Sequence, residues 1–202
     1  MIPRHFPYLG PVQEQVSPYA SFTNRALARI IDIGLISVPL NMLMLVSLVF
    51  LRSLPLALLW IILDAAYKPI MESHWGYTLG KKWRKIKVIS QETGGLMDMN
   101  QSLTRFIPWA IAYFASIFVY TRHFQDPAFG EVTTMEQYFE FAASHVLSGN
   151  FLISVANNLT IFSAVWMFSD PFQRALHDRF AKTIVVNDVD AIEREKNVGW
   201  ED

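Results

Sequence analysis

One long apolar stretch near the N-terminus constrains this chain more than any other feature. No formally charged residue lies between Asp32 and Arg52. A helix needs about 20 mostly apolar residues to cross a hydrocarbon core of about 30 Å, so residues 30–51 are predicted to span a membrane. Ser17 and Pro18 favour a helix start upstream of the span, because serine caps free backbone amides and proline fits the first turn.

Three more apolar runs follow, and together with the first they predict a membrane protein. Spans are expected near residues 54–71, 106–121 and 151–169. The third span, 106–121, is short for a bilayer, so we expect Arg105 and Arg122 at its ends to extend towards the head groups. Only 17% of the residues are charged, whereas soluble domains approach about a quarter. The predicted fold is therefore all-α, a polytopic bundle of about four transmembrane helices.

The segment between the third and fourth spans has the pattern of an amphipathic helix. Its apolar residues recur at helical spacing, while Glu136 and Glu140 fall on the other side. The apolar stripe consists of Met135, Tyr138, Phe139, Ala142 and Val146. We expect an interfacial helix here, which either lies on the membrane surface or caps the bundle.

Two short runs of β-branched residues, 86–89 and 183–186, are each typical of a strand. We predict that they pair as a small β-sheet in the cytoplasm, although two strands alone are marginally stable. The predicted organisation is an irregular N-terminal arm at residues 1–16, a transmembrane domain at 17–186 and a polar tail at 187–202. Proline and glycine in the arm disfavour regular structure there.

The distribution of basic residues predicts the orientation of the chain. Of 17 lysines and arginines, only Arg52 and Arg122 flank the span ends on one side of the membrane. Basic residues collect on the cytoplasmic side of membrane proteins. We therefore predict a multi-pass protein of the bacterial inner (plasma) membrane with both termini in the cytoplasm.

Five charged residues at membrane depth are the candidates for function. Arg25, Arg29 and Asp32 share one face of the first helix, and Asp64 and Lys68 interrupt the second span at i,i+4 spacing. We expect the hairpin of these two helices to bring Arg29, Asp32, Asp64 and Lys68 into one polar cluster. A charge in a membrane is costly unless it is paired or hydrated. The cluster is therefore either an ion or proton relay or a salt-bridge lock.

A dense basic patch lies directly beside the second span. It consists of Lys81, Lys82, Arg84, Lys85 and Lys87. Because a membrane leaflet is adjacent, we expect the patch to face anionic lipid head groups rather than nucleic acid. The lipid bilayer itself is the other expected partner.

No feature of the sequence indicates catalysis or a cofactor. Cysteine is absent, which excludes a disulfide framework, a thiolate metal site and a cysteine nucleophile. The histidines lack the spacing of metal ligands, and no nucleotide-binding or hydrolase fingerprint occurs. We expect neither an enzyme nor a bound metal or cofactor.

Three segments of the chain carry a resemblance to a known family. The first is RALARIIDIGL with Asp64 downstream, the second is GYTLGKKWRKIKVIS and the third is QRALHDRFAKTIVV. In this order they are similar to the RDD family of membrane proteins, named for an arginine and two aspartates in the first two spans. The resemblance makes Arg25 or Arg29 the arginine, and Asp32 and Asp64 the aspartates. The matching positions in the second and third segments are Thr78, Leu79, Gly80, Lys81, Val88, Arg174, Leu176, His177, Asp178, Thr183 and Val185.

Two features depart from the family pattern. Lys85 stands where many relatives have glycine, and the connection at residues 122–149 is longer than the resemblance leads us to expect. The longer connection suggests a specialised partner or a lid. For activity, the resemblance implies transport, including cation/proton exchange, in some members.

Two functions fit these observations. In the first, the protein moves a small ion or solute, with Asp32 and Asp64 as the working carboxylates and Arg29 setting their charge state. Four spans are few for a monomeric carrier, so this function favours a homo-oligomer. In the second, the protein is a non-catalytic scaffold or assembly subunit of a larger membrane complex, and its charged residues lock the bundle.

Overall fold

The computed structural model describes residues 18–188 of the chain. The predicted arm at 1–16 and the tail beyond residue 188 lie outside the described residues. Seven helices and one two-stranded sheet make up the described part. The helices are α1 (Phe22–Val49), α2 (Leu54–Trp75), α3 (Leu79–Trp83), α4 (Met99–Gln125), α5 (Met135–Ser144), α6 (Phe151–Ser169) and α7 (Leu176–Phe180), and the strands are β1 (Ile86–Ser90) and β2 (Thr183–Asn187).

Four of these helices, α1, α2, α4 and α6, are long and apolar enough to cross a membrane. The predicted bundle of four spans is therefore confirmed. Helix α2 packs against α1 and α4, and α4 in turn packs against α6. Apolar side chains are exposed along all four helices, as expected of surfaces that face lipid rather than water.

Helix α1 begins at Phe22, where the Ser21 hydroxyl accepts a hydrogen bond from the Asn24 amide at 3.3 Å. The predicted start at Ser17 and Pro18 is wrong. The Pro18 carbonyl accepts from the Asn187 amide at 2.9 Å, and Tyr19 forms a β-bridge with Val186. This backbone is extended because it pairs with β2, so it is not available to start a helix.

One turn of α1, Ile33–Ser37, is π-helical and lies just before Pro39. Proline lacks an amide hydrogen and its ring crowds the carbonyl four residues earlier. A wider turn relieves that crowding, and such turns are frequent at functional sites. Ser37 is the last residue of this turn, and its hydroxyl donates a hydrogen bond to Asp64 of α2.

Helix α4 is longer than the predicted span at 106–121. It begins after Asp98, whose carboxylate accepts from the Gln101 amide at 2.6 Å while the Gln101 side chain accepts from the Asp98 amide. The helix therefore includes Arg105, which is 2% exposed. The prediction that Arg105 extends towards the head groups is wrong, because its guanidinium is bound by buried carboxylates.

Strands β1 and β2 pair in antiparallel register, with Val88 opposite Val185. The predicted β-pair is confirmed. Both valines are fully buried, together with Ala20, Ala28 and Met97. This small core supplies the support that two isolated strands lack.

Helix α5 caps one end of the bundle, and the expectation of an amphipathic helix is confirmed. Tyr138 is buried with Phe129 against Met44 and Leu48 of α1. The buried face differs from the predicted stripe: Phe139 is 58% exposed, and Val146, which is 85% exposed, lies beyond the end of the helix at Ser144. Arg52, at the turn between α1 and α2, holds this cap in place by donating hydrogen bonds to the carbonyls of Phe129, at 2.8 Å, and Val132.

Candidate functional site

The family motifs meet at the opposite end of the bundle, where α3 and α7 pack against the long helices. Gly80 of α3 lies directly against α1. A Cβ atom at this position would stand 2.0 Å from the Ala28 carbonyl oxygen, which no side chain tolerates. Glycine at position 80 therefore permits the close approach that brings α3 to Asp32.

Asp32 is 4% exposed and is bound by neutral donors. Its carboxylate accepts hydrogen bonds from the Thr78 hydroxyl at 2.5 Å, the Gly80 amide at 2.8 Å and the Tyr67 hydroxyl at 3.0 Å. Two of these donors belong to the start of α3 and one to α2. Asp32 therefore joins three segments and holds the T-L-G-K motif against the first span.

Asp64 is 5% exposed and is also bound by neutral donors. The hydroxyls of Ser37 and Tyr113 donate to it at 2.9 and 2.8 Å, and the Asn41 amide nitrogen lies 3.5 Å away. These side chains come from α1 and α4, on both sides of α2. A small cavity of about 30 Å³ adjoins Asp64 and is lined by Asn41, Tyr113 and Ser116, among others.

The predicted single cluster of Arg29, Asp32, Asp64 and Lys68 is wrong. Asp32 and Asp64 have separate sets of donors, and within residues 18–188 neither carboxylate has a lysine or arginine nitrogen within 4.0 Å. Helix rotation explains the difference, because Lys68 faces Glu72 one turn further along α2. Arg29 lines a large cavity together with Asp32 and Tyr113.

The ion pairs are instead centred on Glu72, which is completely buried. Its carboxylate binds Arg105 Nη1 at 3.1 Å, Lys68 Nζ at 3.5 Å and Lys81 Nζ. Lys81 is thus buried, and its assignment to the lipid-facing basic patch is wrong. Because Gly80 places α3 against α1, the Lys81 side chain enters the bundle while Lys82 stays exposed.

Asp178 of the third motif is the second buried carboxylate in this network. It accepts from Arg25 Nη1 at 2.7 Å and from Arg105 Nη2 at 2.8 Å. Arg105 therefore bridges Glu72 and Asp178, and connects α2 and α4 to α7. Burial by itself would raise the pKa of Asp178, but Arg105 and the other cations around it hold that pKa below its usual range.

His177 lies beside this network and is neutral at physiological pH. Its Nδ1 is 2.7 Å from the Ser163 hydroxyl, its Nε2 is 3.3 Å from Asp178, and its ring stands edge-on to Trp109. Burial lowers the pKa of His177 to about 3. Burial likewise lowers the pKa of Lys81, although Glu72 opposes that shift.

The sequence prediction missed two members of the network, Glu72 and Arg105. The i,i+4 spacing of Lys68 and Glu72 was a signal for the first. Arg105 was noted only as a span end, and its two acidic partners lie far away in the sequence. Arg174, another motif residue, binds Asp170 at 2.9 Å and Gln91 at 2.8 Å, and so ties the end of α6 to the turn after β1.

The rest of the basic patch lies around β1. Lys82 and Arg84 are exposed, and Arg84 donates to the Asn24 side chain at 2.5 Å. Lys85 and Lys87 are half-buried. Lys85 has a φ of 53°, in the left-handed region that glycine adopts without strain. This backbone conformation fits the glycine that the family resemblance leads us to expect at this position.

A cavity of about 580 Å³ adjoins both the ion network and Asp32. Its charged lining residues are Arg25, Arg29, Asp32, Lys68, Glu72, Lys81 and Arg105. Helices α1 and α6 form its apolar walls. Within the described residues, no group of three or more histidines and carboxylates is arranged to hold a metal ion.

Of the comparisons with known proteins, the one with family sequence models agrees with the motifs. No curated protein and no solved structure matches the chain. The sequence model of the RDD family matches residues 19–182, a range that contains all four spans and both groups of buried charges. The chain therefore belongs to the RDD family of membrane proteins.

Proposed function

We propose that this protein is a membrane carrier that exchanges a small cation or solute for protons, with Asp64 as the coupling carboxylate. One observation carries the proposal: Asp64 is buried at membrane depth and is held only by hydroxyl and amide groups among the described residues. Asp32 supports the same function by holding α3 against the first span.

The donors around Asp64 suit a group that changes its charge. Serine and tyrosine hydroxyls donate to a carboxylate, and serine or asparagine oxygens accept from a protonated acid or bind a cation. A lysine or arginine partner would instead favour the ionised carboxylate permanently. Asp64 can therefore alternate between a protonated state and a cation-bound state with little rearrangement.

The π-helical turn of α1 is the part of the carrier that would move. Ser37 ends the π-helical turn of α1, and Asn41 lies just beyond Pro39. A π-turn can shift along a helix by small backbone changes, and such turns are common at functional sites. A shift of this kind would change the donors of Asp64 and expose it to a different side of the membrane.

The orientation and assembly state belong to the same proposal. The excess of basic residues at one end of the bundle supports an orientation with both termini in the cytoplasm, and we place the protein in the bacterial inner membrane. Four spans support a homo-oligomer rather than a lone monomer. The proposal assigns no catalysed reaction to the chain. Reporter fusions at both termini test the orientation, and cross-linking in native membranes tests the assembly state.

The test is cation-driven proton movement in proteoliposomes that contain the purified protein. We expect sodium or potassium gradients to drive a pH change with the wild type and none with Asp64→Asn. Glu140→Gln is the matched control, because it makes the same carboxylate-to-amide change at an exposed position of α5, and it should keep full activity. A silent wild type, or a fully active Asp64→Asn protein, contradicts the carrier function.

A scaffold function is the second candidate, and the exposed apolar residues of the α5 cap favour it. Phe139 and Val146 point away from the bundle core, at the end where the connection is unusually long. In this case the purified protein moves no ions, and a partner protein cross-links to photoreactive residues at positions 139 and 146. Recovery of the chain only with itself contradicts the scaffold function.

A further inference from the structure

The cavity of about 580 Å³ between α1, α4 and α6 has a charged floor and apolar walls. We propose that it binds an anionic lipid, with a phosphate-bearing head group on the basic floor and an acyl chain between α1 and α6. Its volume lies within the range of roughly 300–1,000 Å³ that is usual for ligand sites. The inference goes beyond the carrier function and does not depend on it.

The charge of the floor favours an anion. Five of the lining residues are basic and two are acidic. Glu72 already binds three of the cations, and Asp32 is occupied by neutral donors. Arg29 has no carboxylate within 4.0 Å among the described residues. Asp178 pairs with Arg25 and Arg105 and adds a third carboxylate. Five cations still face three acids, so the site keeps positive charge, which a phosphate group would neutralise.

Arg25 provides a donor that has no partner in the part of the chain that the structure describes. Its Nη1 binds Asp178 and its Nε donates to the Ala20 carbonyl at 3.1 Å. Its Nη2 is buried and has no hydrogen-bond acceptor among the described residues. Burying such a donor unpaired is unfavourable, and arginine binds phosphate oxygens well. An anionic head group at the cavity floor would supply the missing acceptor.

The walls of the cavity favour a lipid over a free anion. The apolar lining residues include Phe22, Ile30 and Ile33 on α1, and Ile161, Ala164 and Phe168 on α6. Ile30 and Ile161 are 63% and 60% exposed, so the gap between the helices is open along the span. The rings of Phe22 and Phe168 pack together at one end of this gap, with their centroids 5.2 Å apart. An inorganic phosphate would leave these walls uncovered, whereas an acyl chain would cover them.

The location also fits a lipid of the inner leaflet. The floor lies at the end of the bundle that carries the basic patch, next to α3 and the β-pair. Basic pockets between transmembrane helices on the cytoplasmic side are typical sites for anionic head groups. The cavity differs from the basic patch in that its cations are inside the bundle rather than on its surface.

The test measures binding to the purified full-length protein in detergent, by thermal shift and by native mass spectrometry. Phosphatidylglycerol, phosphatidylcholine with the same acyl chains, and inorganic phosphate are titrated separately. We expect phosphatidylglycerol to raise the melting temperature and to remain bound in the mass spectrum. We expect phosphatidylcholine and inorganic phosphate to do neither.

Two variants and one control locate the site. Arg29→Gln removes a floor cation that has no ion pair within the described residues, and Ala164→Phe fills the space between the walls. Arg29→Gln should weaken phosphatidylglycerol binding by about tenfold or more, the usual size of one lost charge-assisted contact. Ala164→Phe should weaken it by a similar factor of about ten, because the larger side chain occupies the space of the acyl chain. Lys82→Gln removes an exposed cation of the basic patch and should change binding less than about twofold.

Four results would overturn the proposal. Equal shifts with phosphatidylcholine show that the head group is not recognised, and an equal shift with inorganic phosphate shows a site for a free anion. An equal loss in Lys82→Gln shows surface adsorption. Unchanged binding in Arg29→Gln places the lipid elsewhere, and this variant decides the question even if Ala164→Phe does not fold.

Discussion

Two buried carboxylates at membrane depth, Glu72 and Asp64, differ in the groups that bind them. Glu72 is surrounded by Lys68, Lys81 and Arg105, whereas Asp64 is surrounded by hydroxyl and amide groups. Both are almost completely buried. Cationic partners stabilise one charge state and join helices together, whereas neutral donors allow a change of charge. Burial alone therefore does not distinguish the two carboxylates, whereas the nature of their partners does.

Breaking the charged network should have the largest effect on stability. Arg105→Gln leaves Glu72 and Asp178 short of a shared cation in a buried site, and removal of one partner from such a network costs about 3–5 kcal/mol. We expect a large drop in melting temperature in detergent. Arg122→Gln, an exposed arginine at the other end of α4, is the matched control and should change stability by less than about 0.5 kcal/mol. Equal stability of the two variants would show that the network is not a lock.

Acidification should weaken the network through His177. Its pKa is about 3 in the folded protein, against an ordinary value of 6.5, so between these pH values the unfolded chain binds the proton and the folded chain does not. The free energy of unfolding should therefore fall as the pH falls below 6.5, by up to about 1.4 kcal/mol per pH unit. The lowered pKa of Asp178 adds a further loss only at still lower pH.

The measurement is the melting temperature between about pH 7.5 and about pH 4.5, a range in which most of the His177 contribution appears. His177→Gln keeps a side chain that can hydrogen-bond Ser163 but removes the titration, so its melting temperature should vary less across this range. If both proteins follow the same pH curve, His177 is not the group responsible.

A smaller effect is expected from the neutral site. Ser37→Ala removes one of the hydroxyls that donate to Asp64, which should cost about 1 kcal/mol. Ser116→Ala is the comparison, because the Ser116 hydroxyl donates only to its own helix, at the Ala112 carbonyl. A loss with Ser37→Ala as large as that of Arg105→Gln would remove the distinction between the two sites.

The smallest effect on stability is expected for Asp64→Asn. The variant loses charge-assisted hydrogen bonds but no longer buries a charge in the membrane, so the two changes should offset each other to within about 1 kcal/mol. Thermal unfolding of the variant beside the wild type measures this. A fall of several degrees together with a silent wild type in the transport assay would make Asp64 a structural residue.

Local patterns were sufficient for much of the fold. The span near 54–71, each of the two strands and the amphipathic α5 follow from hydropathy, length and spacing, which are properties of neighbouring residues. Asp32 and Asp64, which the sequence placed at membrane depth, are indeed buried. The start of α1 was predicted too early because Pro18 and Tyr19 pair with β2, a segment that lies almost the whole length of the described chain away.

The sequence by itself determined the four apolar helices, the two short strands and the RDD motifs, because each of these depends on residues close together in the chain. Only the tertiary structure decided which charges meet. Arg105 reaches Asp178 across 73 positions, and Lys81 enters the bundle because Gly80 lets α3 touch α1. The direction of a side chain depends on the rotation and close approach of whole helices, which residue type and spacing do not specify.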